Sequence, residues 1–195
     1  MRILLAFLCF ASAASAADLR YWVEPCTRPE TKCAEQDPLM AEWAFQDWAR
    51  ASAGKLHLER ASQRRQANIR VHWAAANQGL YGEAVPFFED GLHGFEVYVL
   101  PDLSGMGRDI SQAVRLDSLL RDSIVYLTCL HEIGHALGLA HTNQFADIMY
   151  SFQFGGDIPE YFGRYRRQIK TRADIETVTG TSSNDRTRLV SILSR

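Results

Sequence analysis

After its first ten residues the chain has no long hydrophobic run, and nothing downstream approaches the roughly 20 consecutive apolar residues that cross a bilayer. A membrane-spanning helix in the body of the chain is therefore not expected. An excess of one charge is also missing. With 21 Lys and Arg against 23 Asp and Glu the formal net charge is −2, which argues against a nucleic-acid binder. Internal repeats and low-complexity runs are absent too, which removes solenoid and linker architectures.

At the front, Met1-Arg2 is followed by the apolar run Ile3 to Phe10 and by small residues in Ala14-Ser15-Ala16. This pattern reads as a secretory signal peptide over 1–17, cleaved after Ala16 or Ala17. Leu8 precedes Cys9, where a lipoprotein-type cleavage site wants a small residue, so no lipid anchor is expected. Removing the signal leaves about 178 residues, room for one domain with a substantial core but not for a propeptide beside it. The expected product is soluble and exported, either to a periplasm or out of the cell, and monomeric.

Leu19 to Val23 reads as a first strand. Asp37-Pro38 supplies a helix cap and a first-turn proline, and Ala41, Ala44, Phe45 and Trp48 recur at helical spacing up to Gly54. Three strands follow: Leu56 to Arg60, Asn68 to Trp73 with Ile69, Val71 and Trp73 on one face, and Phe95 to Leu100. Gly79 to Pro86 is patterned as an exposed edge strand. A helix starting between Asp117 and Asp122 carries Leu120, Ile124 and Leu127 along one face, and Thr171 caps a last helix running to about Thr179. The order implies an α/β fold, a mixed sheet backed by helices. The tail 181–195 is too polar and short to assign.

Cys26 and Cys33 lie close together in a chain expected to be exported, and a disulfide loop is the favoured reading. Cys129 reads as a buried free thiol. Arg164, Arg166, Arg167, Lys170 and Arg172 crowd five bases into nine residues, either a solvated face or a border of a substrate cleft that favours acidic residues.

The densest chemistry is His131-Glu132-Ile133-Gly134-His135-Ala136-Leu137-Gly138-Leu139-Ala140-His141. On a helix His131 and His135 project from one face and can share one ion, with Glu132 beside them. Gly138 can end the helix in a left-handed turn, so that His141 returns as a third ligand. Three imidazoles leave the fourth tetrahedral position for water, the arrangement of a catalytic zinc. Glu132 is then the general base.

HExxHxxGxxH with Met149 eight residues beyond, in Asp147-Ile148-Met149-Tyr150, resembles the metzincin metallopeptidases, and the matrixin branch in particular. Ser151 stands where astacin-like relatives place a metal-facing tyrosine. The resemblance implies a metzincin-like (zincin) fold: a twisted mixed sheet backed by two helices, a small mostly irregular C-terminal subdomain ending in a helix, and a zinc cleft between 18–138 and 139–180. It also implies substrate lying along the edge strand at Gly82 and Ala84, with Ser151 to Tyr161 walling the pocket beyond the cut. Asp174-Ile175 resembles the final helix of matrixins, and Glu24-Pro25-Cys26 only faintly resembles their latency segment.

Departures from that pattern make a structural zinc doubtful, because Glu83 stands where relatives often carry a histidine. His57, His72 and His93 show no ligand spacing. Calcium can draw on Glu89, Asp90 and Asp102, but no set is fixed. The readings that follow are a secreted zinc endopeptidase acting on peptide or protein substrates, a zinc peptidase confined to cell-wall peptides or one partner, or an exported binding protein that keeps zinc for stability.

Overall fold

Alternating apolar residues become strands because every second side chain finds the same core. In the computed structural model, which describes residues 16–76 and 81–195, β1 (Ala17–Val23), β2 (Leu56–Arg60), β3 (Ile69–Trp73), β4 (Gly82–Glu89) and β5 (Leu92–Val99) form one sheet. The signal segment up to residue 15 and the Gly79-Leu80 start of the expected edge strand lie outside the described residues. Strand order is β2-β1-β3-β5-β4, parallel except for β4, which runs antiparallel to β5 and forms an edge.

The inner face carries Ile69, Val71, Trp73, Val97 and Val99, all buried against two helices, α1 (Asp37–Ala51) and α3 (Ser118–Ala136). The backing helices are tied to each other by Trp48 of α1, fully buried, whose indole Nε1 donates to Leu130 O at 2.8 Å. Asp37 does not cap α1 as expected. It sits inside the first turn, where its buried carboxylate accepts from Ala34 N and pairs with Arg121 of α3 at 2.6 Å. An ion pair this buried needs its full set of partners, and these fix the angle between the two helices.

On the outer sheet face Arg70 is 1% exposed and bonds Glu96 at 2.9 Å and Glu89 at 2.6 Å. His72 lies between Glu24 and Glu96 with Tyr98 stacked on its ring, while His57 is an exposed partner of Asp18. Cys26 and Cys33 are joined as a disulfide, and Cys129 is a buried free thiol. Among the described residues no helix is long and apolar enough to cross a membrane.

A short helix α2 (Gly107–Leu116) leads into α3, whose start at Ser118 is capped by Asp117, the carboxylate accepting from Leu120 N at 3.0 Å. Beyond Met149 the structure is more helical than the sequence suggests. α4 (Ile158–Arg166) begins at Asp157, which accepts from Glu160 N, with Pro159 in the first turn. The expected helix from Thr171 shrinks to a single 3-10 stretch, Arg172–Glu176.

The unassigned tail is instead a helix, α5 (Ser183–Ile192), opened by a reciprocal cap between Ser182 and Asp185. Asp185 is fully buried and Leu189 packs in the core, so 181–195 is part of the domain rather than an appendage. Four of the five bases in the run are held in structural contacts. Arg166 pairs with Asp117, Arg167 with Glu160 and Arg172 with buried Asp122, while Arg164 donates to Phe145 O and lies over the Tyr161 ring. These four arginines fasten α4 and its following turn, and among the described residues none of the five bases lines the groove beside Glu132.

Candidate metal centre

α3 delivers His131 and His135 one turn apart, both turned towards the edge strand side of the helix. The helix then stops. Gly138 takes φ +92°, a left-handed conformation that glycine adopts without strain, and Leu139 N returns to Gly134 O at 3.0 Å. That reversal carries His141 back over the other two rings.

Each ring on α3 has one nitrogen committed. His131 Nδ1–H donates to Ile148 O at 2.6 Å and His135 Nδ1–H donates to Leu139 O at 2.8 Å. A carbonyl oxygen can only accept, so the proton is on Nδ1 in both and Nε2 presents a bare lone pair. The Nε2 atoms lie 3.2 Å apart for His131 and His141 and 3.1 Å apart for His135 and His141. Tetrahedral zinc with bonds of 2.0–2.1 Å requires ligand nitrogens about 3.3 Å apart. Three imidazole nitrogens gathered at nearly this spacing can be spanned by one cation, so the donor set fits zinc.

Burial keeps the rings neutral and ready to ligate. It pushes His131 down to about 4, with help from the neighbouring imidazoles, and lowers His135 and His141 as well. Among the described residues these three form the group of His, Cys, Asp or Glu side chains able to share an ion; Glu89, Asp90 and Asp102 form none. Glu89 is paired with Arg70, and Asp102 with Lys32.

The methionine turn is seated beneath the rings. Met149 is fully buried, and a Cβ on Gly134 would collide with its sulfur and lie 2.9 Å from Trp48 Cζ2. Glycine inside the motif thus lets the turn and α1 close on the helix. Asp185 holds the turn from below, accepting from Ile148 N at 2.8 Å and Met149 N at 3.5 Å. Tyr150 donates its hydroxyl to Gly155 O.

Glu132 is 8% exposed, and burial, reinforced by Glu83, pushes its carboxyl up to about 8 in the metal-free protein. It lies against Gly82 of β4, and Gly82, Glu83 and Ala84 line a groove together with Glu132, His135 and His141. On the other side an apolar cavity of about 350 Å³ opens between Leu127, Tyr150, Phe152, Ile158, Tyr161 and Phe162. The structure therefore brings Gly82 and Ala84 to the histidines, and places Phe152, Ile158 and Tyr161 in the pocket wall. Sequence reasoning missed Asp185 and the cleft position of Glu83. Ser182-x-x-Asp185, a capping-box spacing, was the available signal for the former.

Residues 13–157 match the Matrixin family. The chain is similar to interstitial collagenase of Bos taurus, 31% identical over 144 residues, which is 72% of this chain and 29% of the relative. With interstitial collagenase of Oryctolagus cuniculus it shares 29% identity over 143 residues, 72% of this chain and 28% of the relative. It thus spans less than a third of the length of those relatives. Among solved structures, archaemetzincin from Methanopyrus kandleri superposes with a TM-score of 0.46 at 12% identity, over 95% of this chain and 99% of that one. With a family match that takes in the sheet, α3, all three histidines and the methionine turn, the chain belongs to the matrixin family.

Proposed function

We propose that this protein is an exported zinc-dependent endopeptidase, with His131, His135 and His141 as the metal ligands and Glu132 as the general base. The convergence of three Nε2 atoms, two of them freed of the proton by carbonyl partners on Nδ1, beside a buried carboxylate carries this reading. Zinc held there would supply Lewis-acid chemistry, polarising a peptide carbonyl and making water acidic near neutral pH.

The chain's own residues do the rest. Glu132 takes the proton of the attacking water on a carboxylate oxygen and delivers it to the departing amine. The outer edge of β4 carries unpaired backbone groups at Gly82 and Ala84, which support an extended peptide as an added strand. Leu127, Tyr161 and Phe162 favour an apolar side chain just beyond the cut. Glu83, exposed on the groove, favours a basic residue elsewhere in the peptide, the reverse of what the basic run suggests from sequence. A carboxylate held beside the ligands favours catalysis over a purely stabilising metal site.

The test is Glu132→Ala: zinc content stays at the wild-type level and peptidase activity is lost. Full activity in the variant removes Glu132 as the base.

A further inference from the structure

His141 is the ligand with the least support of its own. The rings of His131 and His135 are each anchored to a backbone carbonyl, whereas among the described residues only the two facing imidazoles come within hydrogen-bond distance of the His141 ring. It is also the most exposed of the three. Its position is therefore set by its backbone. On the C-terminal side that backbone is tied down, because Thr142 N donates to Met149 O at 2.8 Å and Ser151 N donates to Thr142 O at 3.1 Å.

On the N-terminal side the tie comes from α5. Arg188 Nη2 donates to Ala140 O at 2.8 Å across 48 residues of sequence. The Ala140 carbonyl and the His141 N–H belong to one planar peptide unit, so a bond that fixes the oxygen fixes the plane from which His141 departs. The same helix sends Asp185 to the methionine turn, and Ile192 Cγ2 lies 3.7 Å from where a Cβ on Gly138 would stand. α5 thus touches the helix stop, the third-ligand loop and the methionine turn.

Holding Arg188 there has a cost. Its Nη1 is buried without a hydrogen-bond partner among the described residues, an arrangement that works against the fold through the lost solvation of that group. A side chain kept only for packing would avoid that cost.

We propose that Arg188 is a positioning residue for the metal centre, presetting the His141 peptide so that the third imidazole meets the other two. The proposal rests on the reading of His141 as a ligand. Outer residues that orient a ligand typically change metal affinity by about 10–100-fold when removed.

The experiment compares wild type, Arg188→Ala and Arg188→Lys in the full chain. Zinc affinity is measured by competition with a chromophoric chelator, and the visible spectrum of the cobalt-loaded protein reports ligand geometry. Unfolding of the metal-free chain is followed separately, since a merely structural role would move only that. The expected result is roughly 10–100-fold weaker zinc binding and an altered cobalt spectrum in Arg188→Ala. Arg188→Lys, which keeps a charged donor in reach of Ala140 O, recovers most of both. If Arg188→Ala fails to fold, the lysine variant decides through its own affinity and spectrum. Zinc binding by Arg188→Ala within twofold of wild type overturns the proposal, as does a lysine variant that folds normally yet binds zinc no better than a residue without a donor. A wild-type chain that binds no zinc overturns the ligand reading itself, a result distinct from an unaffected Arg188 variant.

Discussion

Gly82 and Glu132 touch so closely that no side chain fits between them: a Cβ at position 82 would lie 2.5 Å from Glu132 Oε1 and 2.7 Å from its Cγ. The edge strand thus forms one wall of the slot that holds the Glu132 carboxylate. Glu132 is clamped between β4 and the body of α3, so a methyl group at 82 displaces the whole carboxylate. Gly82→Ala is expected to leave zinc binding intact and lower kcat by about 100-fold, the typical cost of a misplacement near 1 Å. Steady-state kinetics beside metal analysis tests this, and an unchanged kcat would contradict the clamp.

Glu132 also makes the metal-free protein sensitive to alkali. Its folded value of about 8 stands above the ordinary 4.5, so the fold favours the protonated form. That contribution is complete below about 4.5 and is lost as pH rises to about 8. His131 acts in the opposite sense. Its folded value of about 4 lies below 6.5, so its contribution is complete above 6.5 and is lost as pH falls towards 4. Denaturant unfolding of the chelated protein across this range is expected to show stability declining from near neutral to pH 8, with the decline abolished in Glu132→Gln. A variant that declines as wild type does would assign the effect elsewhere.

Glu83 is the exposed acid of the groove, and its charge is expected to read out in substrate choice. Glu83→Gln should reduce the preference for peptides carrying Lys or Arg by at most about fivefold, the range of a solvent-screened pair. The wild-type preference should weaken as salt is added. A preference for acidic peptides in the wild type would contradict this assignment.

Asp185 is expected to matter for stability as much as a core residue. Its carboxylate accepts from Ile148 N, Met149 N and Ser182 N, all in the interior or at its margin. Asp185→Ala leaves buried donors without partners and should lower unfolding free energy by about 3 kcal/mol. Equilibrium denaturation checks the figure, and a loss under 1 kcal/mol would show that the methionine turn stands without α5.

The centre was legible because its information is local. His131, Glu132, His135, Gly138 and His141 lie within eleven residues, and their spacing alone converts to geometry. Strands β1, β2, β3 and β5 were legible from alternation for the same reason. What supports the centre was not. Asp185 meets Ile148 across 37 residues and Arg188 meets Ala140 across 48, by hydrogen bonds that no periodicity announces. α5 buries little besides Asp185 and Leu189, so its polar pattern resembles a solvated tail. The resemblance of Asp174-Ile175 to a final matrixin helix placed the last helix at Thr171 to about Thr179, whereas it lies at Ser183–Ile192. Asp174 caps an exposed turn through Lys170 N and Thr171 N, and the aspartate that reaches the methionine turn is Asp185. α4 had a usable signal in Asp157-Ile158-Pro159-Glu160, a cap followed by a first-turn proline and glutamate, which the aromatic residues around it obscured.

The central claim is that three histidines hold one catalytic zinc and Glu132 works beside it. The most direct measurement is zinc content together with cleavage of a diverse peptide library, by wild type and Glu132→Ala, with and without a chelator. One zinc per chain in both proteins, with chelator-sensitive cleavage by the wild type alone, is the predicted result. One zinc per chain with no peptide cut by the wild type, or cleavage that survives Glu132→Ala, would contradict it.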